Sequence, residues 1–116
     1  MMNPRELFEQ AYEAGVAAMN NCQPTPMTVV DRMSGQKWHV SEGACGFAWV
    51  KIKPARGAFV NWLKANDIGH RGYPTGYDYW VSEGGQSIER KTAFARAFAG
   101  VLRNAGLNAH AESRMD

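Results

Sequence analysis

Cysteine and histidine are scarce in this chain, and neither falls in a pattern that builds a site. Cys22 and Cys45 are the only two cysteines in 116 residues. With no secretion signal they read as reduced small hydrophobes rather than a disulfide. His39, His70 and His110 lack the paired spacing of a zinc site. No apolar run approaches the length of a membrane span, and Met1 to Glu9 carries charges where a signal peptide needs its hydrophobic segment. The expectation is a cytosolic protein with no membrane partner. A strong excess of one charge is missing too: the formal net charge of +2 is too small to declare nucleic-acid binding by itself. No motif links the histidines, Cys45 and the acids into a nucleophile and base, so catalysis ranks last among the readings. No cofactor signature is present; Trp38, Trp49, Trp62 and Trp80 read as core or interface anchors.

What is present is an ordinary globular balance, 45% hydrophobic and 21% charged, in a chain the length of one domain. Asn3, Pro4 and Glu6 announce a helix over 4–20 as N-cap, first helical residue and capping-box partner. Leu7, Phe8, Ala11, Tyr12, Gly15, Ala18 and Met19 give it one apolar stripe, and Gly15 is a position for close packing. Met27 to Asp31 and Lys37 to Val40 read as strands around Met33-Ser34-Gly35-Gln36. In Gly46 to Lys53, Phe47, Trp49 and Lys51 alternate with Ala48, Val50 and Ile52, as in a central strand. Pro54 is expected to open a second helix bearing Phe59, Trp62 and Leu63, with Gly69 as its stop. A Gly- and Tyr-rich loop leads to a strand over Tyr77 to Ser82. The stripe Phe94, Ala97, Phe98, Val101, Leu102 and Ala105 predicts a third helix over Ser87 to Asn104, stopped by Gly106. Leu107 to Ala111 reads as a last strand followed by a short tail, in which Arg114 is expected to latch the chain end. The whole predicts a single α+β domain over residues 1–116. Its sheet is expected to be mixed or mostly antiparallel, of four to five strands, with about three helices on one face.

Two clusters carry the functional expectations. The first is the turn from the Tyr77 strand into the third helix: Gly84, Gly85, Gln86, Ser87, Arg90 and Lys91. Glycines let backbone N–H groups face a ligand, and a helix N-terminus adds partial positive charge. At about 100° per residue, Lys91 lies about 20° from Phe98 on the core side, so its amine must emerge over the sheet end or meet an anion there. The plainer alternative is that Ser87 only caps the helix while Lys91 pairs with Asp78 or Glu83. The segment is not a Walker motif. The second cluster is His70, Arg71, Tyr73, Tyr77 and Tyr79, a mixture of rings and cations that suits base stacking, or else a loop folded over the core. If both clusters face one end of the sheet, a nucleotide would place its phosphate on the helix and its base among the tyrosines.

The runs Cys45-Gly46-Phe47-Ala48-Trp49-Val50, Gly72-Tyr73 to Gly76-Tyr77, Gln86-Ser87 with Arg90-Lys91, and Ser113-Arg114-Met115-Asp116 form a recurring pattern. Across roughly residues 25–116 it resembles a family of small uncharacterised proteins encoded by tailed phages and prophages. The resemblance implies an accessory protein in the bacterial host cytosol that binds a host factor, a defence component or a signalling nucleotide. The combined expectation is a non-enzymatic binding protein holding a nucleotide or nucleic-acid phosphate at the third helix. The alternatives are a protein–protein inhibitor or structural accessory with an aromatic surface, including a homo-oligomer, and a small enzyme of unassigned reaction.

Overall fold

The computed structural model describes residues 2–116. Its first helix, α1 (Pro4–Asn21), starts where the cap chemistry places it. Asn3 Oδ1 accepts from the Glu6 amide at 2.9 Å, and Pro4 takes the first helical position, where a missing N–H costs little. A hairpin follows, β1 (Met27–Val30) and β2 (Lys37–Val40), and it forms a two-stranded sheet of its own instead of joining the main one. In its turn, Asp31 accepts hydrogen bonds from the Met33 amide at 2.9 Å and the Ser34 hydroxyl at 2.8 Å.

The main sheet is built from the rest of the chain: β3 (Gly46–Lys53), α2 (Ala58–Ala65), β4 (His70–Arg71), β5 (Tyr77–Trp80), α3 (Ile88–Asn104) and β6 (Asn108–Met115). The spatial order is β4-β5-β3-β6, with every neighbouring pair antiparallel. This is the split β-α-β connectivity of ferredoxin-like folds. The α+β class, the antiparallel sheet and the three helices are as the sequence predicts.

Three boundaries move. Helix α2 begins at Ala58 behind the N-cap Gly57, because Pro54 to Arg56 turn the chain first. Strand β5 ends at Trp80. Strand β6 does not stop at Ala111 but pairs with β3 up to Met115 opposite Gly46, so the expected tail is strand.

Alternation divides the sheet into two unlike faces. Ala48, Val50 and Ile52 of β3 are buried with Ala109 of β6 and Tyr77 of β5 beneath the helices. Over them lie Phe94, Phe98 and Leu102 of α3, Phe59, Val60 and Leu63 of α2, and Leu7 and Ala11 of α1. Each fully buried phenylalanine contributes about 1.5–3 kcal/mol from burial alone. Helix α1 approaches α3 closely because Gly15 has no side chain: a Cβ there would come within 2.9 Å of the Phe94 ring. The three helices therefore serve one face, and among the described residues no helix packs on the other. None of the helices is long and apolar enough to cross a membrane, among the described residues.

Candidate functional site

The N-terminus of α3 is the first place to look for an anion site. Ser87 is buried and caps the helix, its Oγ accepting from the Arg90 amide at 3.2 Å. Gly84 and Gly85 take positive φ, and with Gln86 and Arg90 they border a shallow cavity of about 340 Å³. Ser87 and Lys91, expected in the same pocket, do not line this cavity, and the chain supplies its own anion there. Arg90 Nε donates to Glu42 Oε2 at 2.6 Å, and this hydrogen bond raises the already high guanidinium pKa. Glu42 comes from the turn between β2 and β3, far away in sequence, which is why the local pattern did not disclose it.

Lys91 takes a different course. Asp78 is paired with Lys51, and Glu83 accepts from Tyr12 Oη at 2.7 Å, so neither acid expected to answer Lys91 does so. Only 7% of Lys91 is exposed, and its Nζ lies 5.5 Å from the centroid of the Phe47 ring. The stem is buried under the helices while the amine reaches a ring of the opposite sheet face.

The second expected cluster is split by strand parity. Tyr77 and Tyr79 are two residues apart and so share the covered face. Tyr77 Oη donates to the Ile68 carbonyl at 2.6 Å, and the Tyr79 ring packs 4.9 Å from that of Phe98. Burial pushes both phenols above their ordinary pKa, Tyr79 the more strongly. These two belong to the core, whereas Tyr73 stands 92% exposed and His70 and Arg71 lie on the exposed edge strand β4. The five do not form one surface.

The residues of opposite parity on β3, β5 and β6 make the open face. Trp80 of β5 stands opposite Trp49 of β3, and the two indoles stack at 4.6 Å with an interplanar angle of 11°. Phe47 lies 5.8 Å from Trp80 on one side and His70 lies 6.1 Å from it on another. Arg114, on β6 opposite Phe47, places its guanidinium carbon 5.4 Å from the Phe47 ring and 5.8 Å from the Trp80 ring. That is cation–π range for both. This is where the former tail residue goes, rather than to a chain-end latch. Trp49 Nε1 donates to Glu112 Oε1 at 2.7 Å, and the other Glu112 oxygen meets His110 Nε2 at 3.1 Å. Trp80 Nε1 is buried with no acceptor among the described residues. No family model, curated protein or solved structure matches this chain.

One corner of the open face is closed. Lys51 Nζ meets Asp78 Oδ1 at 2.9 Å, off the alignment of a good hydrogen bond, and donates to the Thr75 carbonyl at 2.8 Å beneath the loop 72–76. A Cβ on Gly72 would lie 2.5 Å from the Lys51 amine, so only glycine lets the loop cover the pair. Beyond that corner, Lys91 and Arg114 meet no carboxylate within 4 Å among the described residues, while Glu112 is engaged by Trp49 and His110. The same residues hold no group of three or more His, Cys, Asp and Glu side chains able to bind a metal. The face thus offers three aromatic rings, the Arg114 guanidinium and the Glu112 carboxylate engaged by Trp49 and His110, with the largely buried Lys91 amine reaching Phe47 at its edge.

A signal for this face lay in Gly46-Phe47-Ala48-Trp49-Val50. It follows the Gly, aromatic, Gly/Ala, aromatic, Val order of the RNA-recognition octamer, departing from it at Cys45, where a basic residue belongs, and at Ile52, where an aromatic does. Reading the run as a strand buried on both faces hid the fact that its two rings point away from the helices.

Proposed function

We propose that the protein binds single-stranded nucleic acid on the open face of its sheet, with bases stacked against Phe47, Trp49 and Trp80 and phosphates met by Lys91 and Arg114. The observation that carries this reading is the meeting of Phe47 and Trp80 with the unpaired Arg114 guanidinium on the uncovered side of the two central strands, with the Lys91 amine reaching the Phe47 ring from α3. Sheets of four strands that recognise RNA use aromatic rings on such a face, and base–aromatic stacking tolerates any sequence because every base has a π-face. The ligand class is the one expected from the sequence, and Lys91 remains part of the site. Its centre moves from the helix N-terminus to the sheet because Glu42 already neutralises Arg90. The resemblance to phage-encoded proteins supplies the setting we favour: a non-enzymatic accessory acting on host or phage nucleic acid in the bacterial cytosol.

Titration of tryptophan fluorescence with a short homopolymer of deoxythymidine, repeated at several salt concentrations, tests this. We expect quenching and an affinity that falls with salt, with a log–log slope of about −1.4 for two phosphate contacts on a single strand. Binding that is absent, or that ignores salt and survives loss of Trp80, would reject it.

A second reading, a protein partner, is favoured by the β1–β2 hairpin. Met27, Val29, Val30, Met33 and Trp38 are all exposed on it. A host or phage protein, or another copy of the chain, would cover such an arm, and that association would persist in high salt.

A further inference from the structure

A further cavity lies at the other end of β3 from Phe47 and belongs to neither site above. It encloses about 780 Å³, within the range of small-molecule sites, and its floor is apolar, including Leu7, Ile52, Phe59, Val60 and Leu107. Two cations, Lys53 and Arg56, also line it, and among the described residues no aspartate or glutamate does. Neither cation has a carboxylate within 4 Å or a side-chain hydrogen bond among the described residues. An apolar chamber with unanswered positive charge at its border is complementary to a molecule with an apolar body and one negative end.

The start of α2 borders the same chamber and agrees in sign. Its N-cap, Gly57, offers no side-chain oxygen, and its first turn contains no acid. The amides of Ala58, Phe59 and Val60 have no protein acceptor among the described residues. Helix α1 and α3 both receive a side-chain cap, from Asn3 and Ser87. The helix end adds to the case, but the cavity and its charge carry it.

We propose that this cavity binds a small amphiphilic carboxylate, its chain among Leu7, Ile52, Phe59 and Leu107 and its carboxylate beside Arg56 and the first turn of α2. The site is independent of the sheet face: a ligand here would occupy the covered side of the sheet, and nucleic acid the open side.

Isothermal titration of the full chain with decanoate, decan-1-ol and decyltrimethylammonium tests the proposal. Decanoate should bind one to one, while the alcohol and the cationic amphiphile should bind about tenfold more weakly or worse, because they cannot accept the charge-assisted hydrogen bonds. Arg56→Gln, an exposed position whose change leaves the core intact, should weaken decanoate about tenfold and leave the alcohol unchanged. Equal affinity for decanoate and decanol would overturn the assignment, as would no one-to-one binding of decanoate in the millimolar range. A concentration-dependent dimer that abolishes decanoate binding would overturn it in favour of a second copy as the occupant.

Discussion

Lys51 and Asp78 stand opposite each other on β3 and β5, their charged atoms 2.9 Å apart with side chains only 7% and 8% exposed, on a sheet face that is otherwise open. The pair is kept dry by the loop 72–76, whose Thr75 carbonyl takes a further hydrogen bond from Lys51. Removing one member of such a pair leaves the other charge buried without an answer. Asp78→Ala should therefore cost about 3–5 kcal/mol in urea denaturation, while Lys51→Met with Asp78→Leu should recover most of that loss. A double change that costs as much as the two single changes added together would show that the charges are not coupled.

Gly15 provides a second stability test. Gly15→Val directs methyl groups at the Phe94 ring, where even a Cβ would come within 2.9 Å, and forces α1 away from α3. Overpacking of this kind should lower stability by about 1–3 kcal/mol, seen as a lower urea midpoint at unchanged slope. An exposed control on the same helix, Glu9→Gln, should lie within about 0.5 kcal/mol of wild type.

Neighbouring cations on α3 should behave differently toward nucleic acid. Lys91→Gln and Arg114→Gln should each weaken oligothymidine binding and reduce the magnitude of the salt slope by about 0.7, the share of one phosphate on a single strand. Arg90→Gln, whose charge is already engaged by Glu42, should leave both nearly unchanged. Trp80→Ala should cost about 1–3 kcal/mol in affinity if one base stacks on that ring. A larger loss from Arg90→Gln than from Lys91→Gln would return the site to the helix N-terminus.

Glu112 gives a pH signature. Burial by itself pushes its carboxyl up, but hydrogen bonds from Trp49 and His110 and the positive charge of Lys51 outweigh this, so the pKa falls below its ordinary 4.5. A carboxyl with a lower pKa folded than unfolded adds stability that is present above the unfolded value and lost as pH falls through the folded one. Wild type should lose stability as pH drops below about 4.5, and Glu112→Gln should lose less over the same range. Denaturant midpoints at neutral and acid pH measure the difference, and parallel curves would mean that Glu112 contributes nothing.

Much of the scaffold was legible because its signals are local. Asn3 and Ser87 cap helices through bonds spanning three residues, and the Phe94, Phe98 and Leu102 stripe fixes the buried side of α3 without reference to the rest of the chain. The site was harder to read because it depends on which face of each strand is covered. Tyr77 and Tyr79 look like a stacking surface, yet they share parity with the residues under the helices, while Asp78 between them and Trp80 after them lie on the other face. Arg114 was read as tail because Glu112, Ser113 and Arg114 are polar, although the edge strand they form meets the helices through Ala109 and Ala111. The Arg90–Glu42 pair joins residues whose proximity only the tertiary fold creates.

The pairing of β6 with β3 sets an order of events during synthesis. Gly46 meets Met115 across that ladder, so a strand made early waits beside the ribosome for one made much later. Until then one side of β3 has unpaired backbone groups and Val50 and Ile52 lack their neighbours Ala111 and Ala109. Long-range closure of this type slows folding and leaves a transient sticky edge on the nascent chain. Arg114 joins the aromatic face only once that ladder has closed, since it reaches Phe47 and Trp80 from β6.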